Sequence, residues 1–243
     1  MAVKIFVLKK TKVISPKKIQ KDDENLKKYD YIAFDLDGTL TDPEVGLVKG
    51  FMYAFDRVGI EYGAPETLRR YIGPPLHEEW KREYGFTEEE AANAIAIFRE
   101  YYDEYGWAEN KVYDGIVEML EALKAAGKTI VLATSKPENT ARRIMALFGL
   151  DKYFAFMGGA STSSTRDKKW EVLEYSLDAV NAKDHTRCIL VGDRKYDAEG
   201  AAICGIDSLG VLWGHGTEDE ISSSGFTYVA KTPLDVVKIL LQD

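Results

Sequence analysis

The sequence predicts an α/β fold, a parallel sheet with helices on both faces, and an all-helical segment inserted after its first strand. From Tyr113 onward, short apolar runs alternate with helical patterns, as is typical of parallel sheets covered on both sides. Between residues 44 and 108, apolar residues recur at helical spacings without strand-like alternation. The predicted domains are therefore an α/β core of residues 30–43 and 109–243 and a helical insert of residues 44–108.

Composition limits the class of protein. The chain has 243 residues, of which 45% are hydrophobic, enough for a sizeable core. Its net charge of −8 gives no basic footprint for a nucleic-acid polymer, and no apolar run approaches the roughly 18 residues of a membrane span. Cys188 and Cys204 are too few for a disulfide framework. We expect a reduced, cytoplasmic protein without a membrane partner, and the sequence leaves monomer and dimer open.

The first 29 residues differ from the rest in charge. They hold nine lysines against three acidic residues, so this segment carries a charge of +6. Its apolar run is too short for a signal sequence. We interpret residues 1–29 as a basic N-terminal extension.

Periodicity and turn residues place the remaining elements. The predicted core strands cover 31–34, 129–133, 153–157, 187–191, 208–212 and 228–230. The predicted core helices cover about 116–126, 137–148, 168–180 and 195–204, with two more after Thr217 and Thr232. In the insert, one helix ends at Gly59 and others cover about 65–71, 75–84 and 87–104. Thr87 and Glu90 form a capping-box pattern at the start of the last one.

The first strand runs directly into two carboxylates. Asp35 and Asp37 are two residues apart, so an extended backbone directs both side chains to the same side. Two adjacent carboxylates repel each other unless a cation or a proton lies between them. Gly38 then permits a sharp turn. This arrangement suits a Mg²⁺ site in which one carboxylate acts as nucleophile and the other as acid and base.

Other predicted strands also end in polar residues, and ligands of parallel sheets bind beyond these ends. The groups are Thr134 and Ser135 after the second strand, Arg166, Lys168 and Lys169 after the third, and Asp193 and Asp197 after the fourth. Carboxylates hold a hard cation, hydroxyls receive phosphate oxygens, and a lysine neutralises a transferring phosphoryl group. The set predicts a phosphoryl-transfer site.

Each of these residues also has an ordinary structural interpretation. An isolated Asp-x-Asp is most often a turn former, and Thr134 could cap the helix that begins near Pro137. Lys168 and Lys169 could be solvated surface charge, and Asp193 could cap a helix. Only their joint occurrence at neighbouring strand ends favours a site.

Two further sets of residues are given no chemical role. His77, His185 and His215 lack partners at ligand spacing. The aromatic residues of the insert are interpreted as packing, and they are Tyr84, Phe98, Tyr101, Tyr102, Tyr105 and Trp107.

The motifs together resemble the haloacid dehalogenase superfamily over nearly all of residues 30–243. They are Asp-Leu-Asp-Gly-Thr at 35–39, Thr-Ser-Lys-Pro at 134–137, a lysine before a helix, and Gly-Asp-x-x-x-Asp at 192–197. Segments 70–76 and 165–172 resemble the phosphoglycolate phosphatase-like branch, including a subgroup named phosphoglycolate phosphatase or 5′-nucleotidase. The resemblance implies a Rossmann-like core and a helical cap.

The resemblance also implies roles for the carboxylates. Asp35 would attack phosphorus and form an aspartyl-phosphate. Asp37 would protonate the leaving oxygen and then deprotonate the hydrolytic water. Mg²⁺ would be bound by a carboxylate oxygen of Asp35, the backbone carbonyl of Asp37, and Asp193.

The phosphate-binding groups follow in the same way. The resemblance implies that Thr134 and Ser135 bind phosphate oxygens and that Lys169 pairs with both the phosphate and the nucleophile. Asp197 would orient that lysine or a water. Lys168 remains an open alternative for the lysine, because the sequence leaves a shift of one residue undecided.

The implied function is that of a Mg²⁺-dependent phosphatase for a small metabolite, phosphoglycolate or a nucleoside 5′-monophosphate, with Arg70 of the cap facing the substrate. One alternative is a phosphomutase similar to β-phosphoglucomutase, although Thr39 stands where such mutases more often have valine. Another is a non-catalytic metabolite-binding protein. The presence of Asp35 argues against it, because loss of the nucleophile would be its signature.

Overall fold

A computed structural model describes residues 29–73, 76–161 and 165–241. The strands are β1 (Tyr31–Phe34), β2 (Thr41–Asp42), β3 (Lys111–Val112), β4 (Thr129–Pro137), β5 (Phe156–Ala160), β6 (Cys188–Gly192), β7 (Asp207–Val211) and β8 (Tyr228–Ala230). The helices are α1 (Glu44–Val58), α2 (Leu76–Tyr84), α3 (Glu88–Glu104), α4 (Ile116–Ala125), α5 (Glu138–Leu147), α6 (Lys169–Asp178), α7 (Lys195–Ile203), α8 (Glu218–Ser223) and α9 (Pro233–Leu241).

Six of the strands form one parallel sheet, in the order β5-β4-β1-β6-β7-β8. β1 lies at its centre, because β4 pairs with one edge of it and β6 with the other. The chain builds β4 and β5 on one side of β1 and then crosses over to build β6, β7 and β8 on the other. Such a reversal leaves a crevice at the carboxyl ends of the central strands, where ligands of α/β proteins bind.

Helices cover both faces of the sheet, as the alternation of apolar residues predicts. Ile32 and Phe34 of β1 belong to a core cluster with side chains of α4, α5 and α9. Ala33 belongs to a second cluster with side chains of α6 and α7. Because successive side chains of a strand point to opposite faces, the two clusters lie on opposite sides of the sheet. The predicted α/β class is confirmed.

The chain passes from the core to the insert and back through a short antiparallel ribbon. Thr41 of β2 pairs with Val112 of β3, and Asp42 pairs with Lys111. No local pattern predicts these two-residue strands. Between them, the structure describes only helices and turns.

The insert has an apolar core of its own. We call this core the aromatic cluster, and its members include Phe51, Phe55, Tyr71, Trp80, Phe98 and Tyr102. The predicted capping box is present, since the Thr87 side chain accepts from the Glu90 N–H and Glu90 accepts from the Thr87 N–H. Residues Pro65–Tyr71, which the pattern predicts to be helical, form a 3₁₀ helix. Its bonds run three residues back, as from Ile72 N–H to the Arg69 carbonyl.

Some predicted boundaries are wrong, and one of them is the end of β4, which continues past residue 133 to Pro137. The third core strand is Phe156–Ala160 and not 153–157, because Asp151–Tyr153 closes a 3₁₀ turn. Gly158 and Gly159 belong to this strand and not to the following loop, and they allow close packing. A Cβ on Gly159 would lie 2.6 Å from the Cα of Glu138.

Another wrong boundary is at the start of the core. The sequence pattern places Tyr29 in the basic extension, but Tyr29 is buried, and its hydroxyl donates to Asp207 Oδ2 over 2.6 Å. The rest of the predicted extension, residues 1–28, lies outside the described residues. Among the helices that the structure describes, none is long and apolar enough to cross a membrane.

Candidate active site

Lys169 and Asp35 form the centre of the site. Lys169 Nζ lies 2.8 Å from Asp35 Oδ1, 2.7 Å from Asp197 Oδ1 and 3.0 Å from the Ala133 carbonyl oxygen. An ammonium group has three protons, so each can face one of these acceptors. Lys168 is exposed, whereas Lys169 is buried. The fold therefore brings Lys169, and not Lys168, to the carboxylates.

The charge of Lys169 is secured by its partners. Burial alone would lower the pKa of a lysine, because it disfavours the charged form. The carboxylates of Asp197 and Asp35 outweigh this effect and raise the pKa of Lys169 above its usual value. Lys169 is therefore a permanent cation beside Asp35.

Asp193 is fully buried behind these two groups. Its Oδ1 accepts from the Thr39 hydroxyl over 3.2 Å, and its Oδ2 accepts from the His215 backbone N–H over 2.8 Å. Gly38 has a φ of +82°, and a Cβ there would lie 2.1 Å from Asp193 Oδ2. Only glycine can make this turn and leave room for the carboxylate.

Three of the carboxylates crowd together. Carboxylate oxygens of Asp35, Asp193 and Asp197 lie within 4.8 Å of one another. Burial and the charges of Asp197 and Asp35 raise the pKa of Asp193 to about 8. The crowding disfavours the ionised form, and a bound cation would favour it again.

The donor set fits a hard divalent cation. A second lysine, Lys136, pairs with Asp37 close by, so the site holds four buried or half-buried aspartates and two buried lysines. Two carboxylate charges therefore have no lysine to balance them, and carboxylate oxygens are the ligands that Mg²⁺ prefers. We call these six residues the strand-end site, and its members are Asp35, Asp37, Asp193, Asp197, Lys136 and Lys169.

Asp37 faces a different cation from Asp35. Its Oδ2 accepts from Lys136 Nζ over 2.5 Å. Its Oδ1 is buried and has no hydrogen-bond partner within the described part of the chain. Burial raises the pKa of Asp37, and Lys136 opposes that effect. The two aspartates that the sequence places on one side of the strand end are thus held by separate lysines.

Thr134 is buried in β4, two residues past the last pairing of that strand with β1. Its Oγ1 accepts from the Lys136 N–H over 3.2 Å, which leaves the hydroxyl proton to donate to a ligand. The alternative of a helix cap is wrong, because Pro137 is the N-cap residue of α5 and no side chain caps it. Ser135 is exposed beside Thr134.

Sequence reasoning missed several residues that the fold brings to the site. Lys136 lies within the Thr-Ser-Lys-Pro motif, two residues after Thr134, and that spacing could have indicated it. His215, which was given no role, contributes its backbone N–H to Asp193. Tyr102 was interpreted as packing, and it does stack on Phe98 with ring centroids 5.2 Å apart. Its hydroxyl also accepts from Lys136 Nζ over 2.8 Å, which no local pattern signals.

Arg70 does not join this group of side chains. Its guanidinium forms an ion pair with Glu83 and donates to the Tyr71 hydroxyl over 3.0 Å, both within the insert. The contact from the core to this part of the insert is made by Arg194, which donates to the Ile72 carbonyl. The role of Arg70 toward a substrate stays a prediction.

The part of the chain that carries the site matches a known protein family. A family model described as haloacid dehalogenase-like hydrolase matches residues 32–211. The chain belongs to this family. The match confirms the predicted superfamily, and it includes all six residues of the strand-end site.

Relatives with established names include two kinds of phosphoryl-transfer enzyme. A protein of Pseudomonas aeruginosa named 5′-nucleotidase is 41% identical over 195 residues, which is 80% of this chain and 87% of that protein. A protein of Mycobacterium tuberculosis named tyrosine-protein kinase PtkA is 40% identical over 198 residues, 82% of this chain and 67% of that one.

Solved structures agree with the fold. A structure from Clostridium acetobutylicum named a "predicted phosphatase" is 36% identical, with a TM-score of 0.85. The match covers 89% of this chain and all of that one. The chain is thus an enzyme of the phosphatase type within its family, as predicted.

Proposed function

We propose that the protein is a Mg²⁺-dependent phosphomonoesterase that acts through an aspartyl-phosphate on Asp35. The observation that carries the proposal is the contact of Lys169 with Asp35, set against the crowded carboxylates of Asp193 and Asp197. Lys169 fixes Asp35 Oδ1, so the other oxygen is oriented for attack. Bound Mg²⁺ would supply positive charge that stabilises the transferring phosphoryl group and would be held by Asp35, Asp193 and the Asp37 carbonyl.

In the first step, a bond forms between an Asp35 oxygen and phosphorus, and the bond from phosphorus to the leaving oxygen breaks. Asp37 then gives its proton to that oxygen, so that an alcohol departs instead of an alkoxide. In the second step, Asp37 takes a proton from water, which attacks phosphorus and frees Asp35. One carboxyl group thus serves as acid and then as base.

Three groups receive the phosphate oxygens in this proposal. The free hydroxyl proton of Thr134 is available as a donor beside Asp35, and Ser135 adjoins it at the exposed edge of the site. Lys169 balances the charge that Asp35 carries before and after phosphorylation. Asp197 holds Lys169 in place, and Asp197 Oδ2 is itself held by the Arg194 N–H at 3.0 Å.

For the substrate we propose a nucleoside 5′-monophosphate, with phosphoglycolate as the alternative. The name of the Pseudomonas aeruginosa relative supports the nucleotide. The insert, which we propose acts as a cap, would select the leaving group, because Tyr102 brings it into contact with the residues around Asp37.

One substrate screen tests the proposal. Purified protein is incubated with Mg²⁺, or with a chelator, and with nucleoside 5′-monophosphates, phosphoglycolate, glucose 1-phosphate and 4-nitrophenyl phosphate. We expect Mg²⁺-dependent release of phosphate from the preferred ester. Conversion of glucose 1-phosphate to glucose 6-phosphate without phosphate release would favour the phosphomutase instead.

The tyrosine kinase relatives require a second arm of the screen. Protein is incubated with ATP labelled on the γ-phosphate, and the bound label is tested for stability to alkali. An acyl phosphate on Asp35 is hydrolysed by alkali, whereas a phosphate ester on tyrosine survives. A label that survives, together with no release from any monoester, would overturn the phosphatase proposal.

A further inference from the structure

We infer that Lys136 and Tyr102 together position the carboxyl group of Asp37, so that the insert determines whether proton transfer to the leaving group is efficient. The inference deepens the proposed function and rests on it. Lys136 and Asp37 belong to the core, whereas Tyr102 belongs to α3 of the insert. The three residues form a single chain of contacts.

Lys136 is a buried cation with two partners. Only 5% of its side chain is exposed, and its Nζ donates to Asp37 Oδ2 and to the Tyr102 hydroxyl. A buried ammonium group without acceptors would be strongly unfavourable, so both contacts matter. The Tyr102 ring also lies beside the charge, with Nζ 4.9 Å from the ring centroid.

Tyr102 is itself fixed by the insert. Its ring stacks on Phe98, and Phe98 stacks on Phe51 with centroids 5.3 Å apart. Phe51 and Phe98 lie on the two helices of the insert that pack against each other, α1 and α3. The position of the Tyr102 hydroxyl is therefore a property of the packed insert and not of a mobile surface side chain.

The result is a defined orientation of Asp37. Lys136 holds Oδ2, and Oδ1 is left buried without a partner among the described residues. Because Lys136 occupies Oδ2, Oδ1 is the oxygen left to exchange a proton with the leaving group once a substrate is bound. Loss of the Tyr102 hydroxyl would free Lys136 to change its position, and Asp37 would then no longer be held in this orientation.

The test uses Tyr102→Phe, which keeps the ring and removes only the hydroxyl. Tyr101→Phe is the matched control, because Tyr101 lies next to it in α3 and its hydroxyl donates to Glu109 over 2.8 Å, away from Lys136. The substrates are 4-nitrophenyl phosphate, whose leaving group departs without a proton, and the alkyl phosphate that the wild type hydrolyses fastest. The measured quantity is kcat/KM, which reports the step in which the leaving group departs.

We expect Tyr102→Phe to lower kcat/KM about tenfold for the alkyl phosphate and less than about threefold for 4-nitrophenyl phosphate. Lys136→Met should show a larger selective loss, about 100-fold against less than about tenfold. Tyr101→Phe should match the wild type on both substrates.

A purely structural role would change both substrates by the same factor, and that result would overturn the inference. So would a Tyr102→Phe enzyme that behaves like Tyr101→Phe. If the wild type hydrolyses neither ester, the proposed function fails and the inference fails with it. Hydrolysis by the wild type therefore tests the proposed function, and the comparison of the variants with the wild type tests the inference.

Discussion

The strand-end site and the aromatic cluster of the insert are both buried, but they are built from opposite kinds of side chain. The site collects four aspartates and two lysines, and each lysine is fixed by direct contact with a carboxylate. The cluster collects aromatic rings, many in edge-to-face contact, such as Phe51 with Trp80 at 6.0 Å. Burying charge costs free energy that pairing only partly recovers, whereas burying rings is favourable in itself.

The difference shows how the molecule divides its tasks. The core holds an unfavourable collection of carboxylates beside a sheet that is covered by buried apolar residues on both faces. The insert is stabilised by its own apolar contacts and can therefore present Tyr102 to the core at a fixed position. If this contrast is right, substitutions in the site should change activity more than stability, and substitutions of the cluster rings that do not touch the site should do the reverse.

The largest expected effect is on activity at the site. We predict that Asp35→Asn lowers phosphate release by about 10⁴-fold or more, equivalent to roughly 5.4 kcal/mol, because an amide cannot act as the nucleophile. The fold should be retained, because Lys169 keeps Asp197 and the Ala133 carbonyl as partners. Hydrolysis of 4-nitrophenyl phosphate and thermal unfolding measure the two quantities.

The control for this substitution is Asp178→Asn, a change of an exposed aspartate at the end of α6. It should leave both quantities unchanged. An Asp35→Asn protein with undiminished hydrolysis would contradict the assignment of the nucleophile.

The next effect is on stability in the cluster. Phe55 is fully buried and contacts Tyr62, Trp80 and Tyr84. We predict that Phe55→Ala lowers the free energy of unfolding by about 3–5 kcal/mol, because it removes the ring and leaves a cavity. Denaturant unfolding measures it.

Val45→Ala in the same helix is the control, since Val45 is 55% exposed and should cost less than about 0.5 kcal/mol. A Phe55→Ala protein that keeps its stability but loses its activity would contradict the contrast between the strand-end site and the aromatic cluster.

A smaller effect concerns Mg²⁺ and pH. Asp193 has a pKa of about 8 in the metal-free fold, against an ordinary value of 3.8. Between these two values the folded protein holds a proton that the unfolded chain has released, so metal-free stability should fall as pH rises through this window. Mg²⁺ must displace that proton. At a fixed Mg²⁺ concentration, the increase in the free energy of unfolding should therefore grow from pH 6 to 8 and then level off. Its size is about 2.7 kcal/mol where that concentration is 100 times the Kd.

Thermal unfolding with Mg²⁺ and with a chelator, at several pH values, checks this prediction. Asp193→Asn should abolish the dependence of the Mg²⁺ effect on pH. An equal Mg²⁺ shift at pH 6 and pH 8 would count against Asp193 as the group that the cation deprotonates.

The smallest effect is at the start of α3. Thr87 caps this helix through the Glu90 N–H. We predict that Thr87→Ala lowers the free energy of unfolding by about 1 kcal/mol, whereas Thr87→Ser, which retains the acceptor, should lose much less. Because α3 carries Tyr102, a loss of activity without a loss of stability would show that the insert is less rigid than its packing indicates.

Much of the site follows from local sequence, because strand ends and short motifs are local features. Asp35 and Asp193 directly follow β1 and β6, and Thr134 lies two residues past the last pairing of β4 with β1, so the three residues meet at one edge of the sheet. The third strand is misplaced because its two glycines resemble a loop, and only tertiary contacts explain them, with Ser176 close to Gly158 and the Glu138 backbone close to Gly159. Tyr29 is misassigned because its hydrogen-bond partner, Asp207, lies 178 residues away in the sequence, beyond the reach of any local pattern.

The sequence by itself determined the class of fold, the helical insert and the carboxylates, because periodicity and turn chemistry act over a few residues. The tertiary structure decided which lysine meets Asp35, since burial of Lys169 and exposure of Lys168 depend on how α6 packs on the sheet. It also decided that Lys136 reaches Asp37 and that Tyr102 reaches Lys136. These contacts join residues far apart in the chain, and only the folded chain brings such residues together.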